Sequence, residues 1–175
     1  MQKTDPRQIT DNVIELIGRQ WTLITAGVPE KFNTMTASWG GIGFLWNKPV
    51  AFVFVRPERY TDEFMIRCAE FTLSFPGPAY RKALNICGST SGRDTDKIAA
   101  SGLTPHTTSR GNVTFEESRL TLECRKLYTD TFREGGFIDR SILDQWYTTH
   151  GNLHNIYIAE IIEAWIAPDV ANNML

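Results

Sequence analysis

The sequence lacks the features that mark several large functional classes. Its cysteines are odd in number and widely spaced, at Cys68, Cys87 and Cys124. This pattern argues against a disulfide framework and against a paired-cysteine metal or redox motif. A basic excess is also missing, because 18 Lys and Arg residues stand against 20 Asp and Glu residues. The chain therefore has no broad positive field for nucleic-acid binding, and any anion site must be local.

Long apolar runs are absent as well. Residues 1–7 lack the apolar core of a signal peptide, and no later stretch is long enough to cross a membrane. We therefore expect a cytoplasmic protein without membrane contact. The chain of 175 residues, 42% of them hydrophobic, suits one globular domain spanning residues 1–175.

Two further site classes find no support in the sequence. The three histidines, His106, His150 and His154, have no cysteine or carboxylate at a recurrent ligand spacing, so we expect no metal site. The segment Gly40-Gly-Ile-Gly43 lacks the third glycine of a dinucleotide fingerprint and no βαβ unit surrounds it. We therefore reject a Rossmann domain.

Alternation of apolar and polar residues predicts a mainly β, antiparallel fold. The uninterrupted apolar strand 51–55 is expected to be buried on both faces. Turn signals at residues 27–31 and 46–49 indicate hairpins. The predicted strands are 21–26, 36–45, 51–55, 71–75, 120–124 and 155–165.

Helical signals are fewer. One helix is predicted from residue 61, with Thr61 or Asp62 as its N-cap. A second is predicted from Asp94 to Ala100, ended by Gly102. Residues 78–86 and 5–17 are further predicted helices. Residues 104–118 are predicted to form a surface loop, and residues 129–149, which carry scattered aromatics, a segment that shapes substrate access.

Two polar clusters joined by the apolar segment 50–55 carry most of the functional information. They are Asn33-Thr-Met-Thr-Ala-Ser-Trp39 and Arg56-Pro-Glu-Arg-Tyr-Thr61. Arg59 and Thr61 are two positions apart, so a guanidinium fork and a hydroxyl can reach one phosphate, and a helix beginning there would add free N–H groups. Trp39 and Tyr60 supply flat apolar surface nearby. The pattern predicts a ligand with a phosphate and an aromatic ring, such as a nucleotide or a flavin.

At these residues the chain resembles the flavin reductase-like family, which includes flavoredoxins and FMN reductases. Three more segments match in order, namely 88–97 (Gly-Ser-Thr-Ser-Gly-Arg-Asp-Thr-Asp-Lys), 100–105 and 154–161. The resemblance implies an FMN-binding split β-barrel, usually a homodimer.

The resemblance also implies where FMN contacts the chain. It assigns Met35, Thr36, Ala37, Ser38 and Trp39 to the ring and ribityl chain and places Ser89, Ser91, Gly92, Arg93 and Lys97 near the cofactor. Arg56 can point toward the phosphate or a dimer partner. The full set of predicted cofactor-binding residues is Asn33, Met35, Thr36, Ala37, Ser38, Trp39, Arg56, Arg59, Tyr60, Thr61, Ser89, Ser91, Gly92, Arg93 and Lys97.

His154 is the candidate catalytic residue. In the family this histidine usually follows a Gly-Asp pair, whereas here Gly151-Asn-Leu precedes it, so an acidic neighbour is missing. Near a flavin it can stabilise the anionic reduced ring or donate a hydrogen bond. A buried structural histidine fits the sequence equally well.

The sequence is compatible with three functions. The leading hypothesis is an FMN-binding oxidoreductase reduced by NAD(P)H. The alternative is an FMN electron carrier that is reduced by a partner protein. The third, a small β-barrel that binds single-stranded nucleic acid, is disfavoured by the acidic net charge.

Overall fold

A computed structural model describes residues 1–148 and 152–168, which form ten strands and five α-helices. The strands are β1 (Gln2–Thr4), β2 (Thr22–Val28), β3 (Lys31–Ala37), β4 (Gly40–Leu45), β5 (Lys48–Val55), β6 (Glu70–Phe75), β7 (Pro105–Thr107), β8 (Val113–Phe115), β9 (Leu120–Thr131) and β10 (Asn155–Ile166). The α-helices are α1 (Val13–Glu15), α2 (Tyr60–Arg67), α3 (Arg81–Ser89), α4 (Lys97–Ser101) and α5 (Ser141–Trp146). A π-helical turn covers Leu16–Gln20, and 3-10 turns cover Pro6–Gln8, Pro78–Tyr80 and Glu134–Gly136.

Eight strands form one antiparallel sheet with the order β3-β2-β6-β9-β10-β5-β4, in which β1 adds to β10. This confirms the predicted antiparallel β fold. The sheet is not closed, because the path ends at β3 on one side and at β4 on the other. Strands β7 and β8 form a separate pair inside the region predicted to be a surface loop.

Strand β10 holds the sheet together. Its first half pairs with β5, its whole length follows β9, and its last residues pair with β1. Alternate side chains of β10, from Tyr157 to Ile161, enter the main core, as the period of two requires. Met65 of α2 and Leu16 of the π turn cover that core.

A second, smaller core lies on the other side of β2. Leu23 points to it, whereas its neighbour Ile24 points to the main core. Leu84 and Cys87 of α3 pack there with Phe115 of β8. Helix α3 is thus fixed against the sheet, and its carboxyl end lies beside β3.

The two predicted hairpin turns are confirmed. Strands β2 and β3 are joined through Pro29 and Glu30, and strands β4 and β5 through Trp46 and Asn47. Trp46 and Asn47 both have positive φ, 51° and 59°, which fits the right-handed twist of a two-residue hairpin. A rigid connection therefore joins the edge strand β4 to β5.

The single strand predicted for residues 36–45 is wrong. The chain leaves the sheet at Ser38 and Trp39 because β3 pairs with β2 and β4 pairs with β5, at opposite edges. Gly40 starts the new strand against β5, where a Cβ atom would lie 2.9 Å from the carbonyl oxygen of Phe52. This crossing connects the two edges of the open sheet.

The expectation that residues 51–55 are buried on both faces is also wrong. Phe52 and Phe54 are only partly buried, because they lie on the face opposite the core, where Phe54 lines a cavity. Phe54 contacts Phe132 with ring centroids 5.4 Å apart. The face of β5 opposite the core is thus available to a ligand site.

Several helix boundaries differ from those expected. A continuous helix over residues 5–17 does not form, because the Asn12 side chain accepts from Ile14 and Glu15 and starts a new turn. Helix α2 has Arg59 as its N-cap, and α4 is capped by Asp96. Helix α4 ends at Gly102, as expected. Among the helices in the described ranges, none has the length and hydropathy that a bilayer crossing needs.

Candidate functional site

A cavity of about 190 Å³ opens where β3, β5 and β10 meet. The register creates this meeting point, because Val55 pairs with Asn155 and the next residues outward are Arg56 and His154. The crossing at Ser38 and Trp39 forms the opposite wall. The cavity is lined by Met35, Thr36, Ala37, Ser38, Trp39, Phe54, Arg56, Arg59 and His154.

The residues 38–39 bring free backbone polar groups to this cavity. Ser38 and Trp39 belong to no strand, so they lie outside the β-ladder. Thr36 just before them donates its hydroxyl to the Leu84 carbonyl of α3, which fixes the end of β3 against that helix. Backbone N–H and C=O groups of this kind need partners, and a planar polar ligand can supply them.

Two cations, which we call the cation cluster, converge on the carboxyl end of α3. Arg59 donates to the carbonyl oxygens of Gly88 at 2.8 Å and of Cys87 at 3.4 Å. The Lys97 ammonium donates to the Cys87 carbonyl at 3.0 Å and to the Thr34 carbonyl at 2.9 Å. The shared Cys87 carbonyl places both positive charges beside one helix end, which carries a partial negative charge.

The cation cluster is not neutralised by any carboxylate within ion-pair distance in the described parts of the chain. Lys97 is only 5% exposed. Burial and then the neighbouring Arg59 lower the pKa of Lys97 to about 8, and burial lowers the pKa of Arg59. Because a buried unpaired charge is costly, this cluster favours a bound anion.

Other predicted residues line a second cavity of about 480 Å³. Asn33, Tyr60, Gly92 and Lys97 are among its walls, together with aromatic Phe32 and Phe64. The predicted cofactor residues therefore line two cavities. Arg59 lines the smaller cavity and Lys97 the larger one, and both donate to the Cys87 carbonyl.

Thr61 lies in neither cavity. It is fully buried, and its hydroxyl oxygen accepts from Asn33 Nδ2 at 2.7 Å. The fit around Asn33 is close, because a Cβ atom at Gly92 would lie 2.0 Å from Asn33 Oδ1. Asn33, Thr61 and Gly92 thus interlock β3, α2 and the loop after α3.

The loop after α3 is attached to α2 by its own polar residues. Arg93 donates to the Glu58 carbonyl and to Glu63, and its guanidinium lies 4.8 Å from the Tyr60 ring centroid. The Ser91 hydroxyl accepts from the Arg93 amide. Ser89 is exposed. The side chains of Ser89, Ser91 and Arg93 do not line the smaller cavity.

A group of aromatic side chains, which we call the aromatic cluster, begins at the other flank of the smaller cavity, where Trp39 and His154 line it. The cluster consists of Trp39, Trp146, Tyr147 and His154. The Trp39 ring meets the Trp146 ring edge-to-face at 5.0 Å and lies 5.4 Å from the His154 ring. The Tyr147 hydroxyl is 2.8 Å from His154 Nδ1. Arg56 Nη2 donates to the Trp146 carbonyl at 2.8 Å, so the permanent charge of Arg56 belongs to this flank.

His154 is held neutral at pH 7. Burial and then the Arg56 charge lower the pKa of His154 to about 4. A neutral imidazole brings no positive charge to a ligand, but it can donate one hydrogen bond. Of the two ligand roles expected for His154, this environment supports hydrogen-bond donation.

Comparison with known proteins assigns the family. Residues 15–175 match the model of the flavin reductase like domain. This chain belongs to the flavin reductase-like family. Solved structures with the same fold include an FMN-binding protein from Thermus thermophilus with bound p-hydroxybenzaldehyde, which is 20% identical with a TM-score of 0.68. That alignment covers 86% of this chain and 73% of the Thermus protein.

Two other solved structures align over more of this chain. The flavoredoxin from Methanosarcina acetivorans is 24% identical with a TM-score of 0.66, covering 96% of this chain and 77% of its own. Component B of nitrilotriacetate monooxygenase from Bacillus cereus is 18% identical with a TM-score of 0.68, covering 97% and 83%. These likenesses establish the split-barrel fold of this flavin reductase-like chain. No curated protein sequence matches it.

Sequence reasoning missed three residues of this flavin reductase-like site. Phe54 lines the smaller cavity, and its place opposite the core follows from the alternation along β5. Trp146 and Tyr147 contact Arg56 and His154, but no motif in the sequence marks them. The sequence indicated them only through the general prediction that segment 129–149, with its scattered aromatics, shapes substrate access.

The remaining candidate groups of this flavin reductase-like chain are inert or distant. Cys87 and Cys124 are buried, and burial raises the pKa of both thiols. His106 is exposed on β7, and His150 lies outside the described residues. Within residues 1–148 and 152–168, no group of three or more His, Cys, Asp or Glu residues is arranged to hold a metal ion.

Proposed function

We propose that this chain is an FMN-binding oxidoreductase that is reduced by NAD(P)H. It would act as a single-domain cytoplasmic homodimer. The observation that carries the proposal is the smaller cavity, which combines guanidinium groups, aromatic walls and backbone groups outside the ladder within one site. A phosphate-bearing, planar, polar-edged ligand matches all three features.

The residues fit FMN at both of its chemically distinct parts. The cation cluster supplies unneutralised charge for a phosphate monoester, with Arg59 on the cavity wall. Trp39 and Phe54 offer flat surfaces for a tricyclic ring, and the backbone of residues 38–39 offers donors and acceptors for its polar edge. When bound, FMN supplies the electron-transfer chemistry, and this chain supplies binding and orientation.

The size of the cavity supports the homodimer. About 190 Å³ is less than the 300 Å³ or so at the lower end of ordinary ligand pockets, so one chain would enclose only part of FMN. Trp39, on the cavity wall, and Trp146, in contact with Trp39, are 41% and 45% exposed. A second copy packed on these tryptophans would cover apolar surface and enlarge the site.

A reconstitution experiment tests the proposal. Purified protein is incubated with FMN, passed over a desalting column and examined by absorbance, then mixed anaerobically with NADH or NADPH. We expect the flavin bands to remain with the protein and to bleach with at least one nucleotide. Protein that loses all flavin on the column would contradict the proposed cofactor.

An electron carrier without its own NAD(P)H activity is the second candidate. The contacting, exposed Trp39 and Trp146 favour it, because with the exposed Ile142, one turn before Trp146 on α5, they offer an apolar surface to a redox partner protein. The same experiment separates the two functions. Bleaching by dithionite but by neither nucleotide would support the carrier.

A further inference from the structure

Two consecutive residues at the end of α5 hold two different side chains at the smaller cavity. The Trp146 carbonyl accepts from Arg56 Nη2 at 2.8 Å, and the Tyr147 hydroxyl lies 2.8 Å from His154 Nδ1. The Arg56 guanidinium also lies over the Tyr147 ring, 5.1 Å from its centroid. The orientation of Arg56 and of His154 thus depends on one short piece of chain that the family motifs do not include.

The contact with Tyr147 selects the tautomer of His154. Tyr147 is only 7% exposed, so its O–H needs an acceptor within the protein. Across the described residues, His154 Nδ1 is the one acceptor that the hydroxyl reaches. The phenol therefore donates to Nδ1, and the imidazole proton is on Nε2.

Arg56 presents a second donor with no partner. Its Nη1 is buried and makes no hydrogen bond to any described group. The nearest carboxylate oxygen, Glu58 Oε1, is 3.8 Å away. Buried N–H groups are nearly always paired in folded proteins, so this orphan donor, on a residue that lines the smaller cavity, indicates a missing acceptor.

We propose that Trp146 and Tyr147 are positioning residues. They orient Arg56 Nη1 and His154 Nε2 so that both nitrogens donate hydrogen bonds to the same edge of the ligand. The ligand edge would carry a carbonyl oxygen beside a second acceptor atom, as the pyrimidine edge of a flavin does. The identity of the ligand rests on the proposed function, whereas the orientation of the two donors does not.

The first test needs no cofactor. Histidine labelled with ¹⁵N is incorporated, and the tautomer of His154 is read from its ring nitrogen shifts in the wild type and in Tyr147→Phe. We expect the proton on Nε2 in the wild type and a mixture of tautomers in the variant. Tyr128→Phe is the matched control, because it removes a hydroxyl that bonds only Asp130 on the exposed end of β9.

Two results of the first test would overturn the proposal. One is a wild-type His154 with its proton on Nδ1, which is measured without any variant. The other is a Tyr147→Phe protein with an unchanged Nδ1 shift, because Nδ1 would then not accept from the Tyr147 hydroxyl in the wild type. A variant that fails to fold therefore leaves the wild-type measurement decisive.

The second test uses FMN labelled with ¹³C at the ring carbonyl of the pyrimidine edge. Loss of a donor moves that carbon signal upfield, so we expect upfield shifts in Arg56→Gln and in Tyr147→Phe. Arg67→Gln, at an exposed arginine of α2, should match the wild type. Bound FMN with unchanged signals in both variants would refute the donor pair. Failure of the wild type to bind FMN would instead refute the proposed function.

Discussion

The cation cluster reaches the smaller cavity through Arg59 and the aromatic cluster reaches it through Trp39 and His154, but the two clusters are assembled in different ways. Arg59 and Lys97 are held by main-chain carbonyls at the end of α3, so their positions follow from a helix end and a short loop. Trp39, Trp146, Tyr147 and His154 come from three separate chain segments and are held by one another. A site can thus combine a half that main-chain carbonyls hold in place with a half in which side chains from separate segments hold one another.

One buried carboxylate connects α2, which follows Arg59, to β10, which follows His154, and its removal should give the largest effect. Asp62, three residues after Arg59, accepts from Tyr157 and from Asn155, which follows His154, both at 2.8 Å. Asp62→Ala would remove the acceptor of the buried Tyr157 hydroxyl and of the partly buried Asn155 amide, so we expect a loss of roughly 3 kcal/mol in the free energy of unfolding. Urea denaturation measures it. Asp94→Ala, at an exposed residue, is the control. A loss below about 1 kcal/mol in Asp62→Ala would show that the hydrogen bonds of Asp62 do not stabilise the fold.

Acid should weaken the aromatic cluster next. The pKa of His154 is lowered to about 4 in the folded protein, so between about pH 6.5 and pH 4 the unfolded chain binds a proton that the folded chain does not. Stability should therefore fall as the pH falls through this window, by about 3 kcal/mol in total. Because carboxylates also titrate in this pH window, the pH dependence of the unfolding free energy is measured for the wild type and for His154→Gln. Equal pH dependence in both proteins would contradict the buried neutral histidine.

Arg59→Ala tests the cation cluster alone. Removal of the charge-assisted contacts should weaken FMN binding by about 2 kcal/mol or more, which corresponds to roughly 30-fold in Kd. Fluorescence titration of FMN measures the change, with Arg67→Ala as a matched surface control. An unchanged Kd would mean that the phosphate lies elsewhere, for example in the larger cavity.

The smallest expected effect is the pH dependence of FMN affinity above neutrality. The pKa of Lys97 is lowered to about 8 in the free protein, and a bound phosphate would raise it. Affinity should therefore fall as the pH rises from 7 to 9, by about tenfold at most. The phosphate monoester is already fully ionised in this range. Lys97→Arg should remove the dependence, and a wild-type affinity that is flat over this range would contradict it.

The sequence predicted the fold better than the arrangement of the candidate site, because it paired Arg59 with Thr61, whereas Arg59 shares the Cys87 carbonyl with Lys97 and Thr61 is buried against Asn33. Alternation located β6 and β10 to within a residue or so, and the motif from Arg56 to Thr61 marked the start of α2. The break at Ser38 could not be read, because it depends on which strands pair at the two edges of the sheet. The contact of Tyr147 with His154 could not be read either, since neither spacing nor hydrophobic pattern encodes it.

Strand β10 has a consequence for how the protein folds. Until it docks, β5 has only β4 beside it and β9 has only β6, so two partial sheets stay unconnected. Its partners β1 and β5 are distant in the sequence, with Gln2 opposite Ile166, and such non-local pairing is slow to form. Because His154 immediately precedes this strand, competence to bind a ligand should arise in the same late step that completes the sheet.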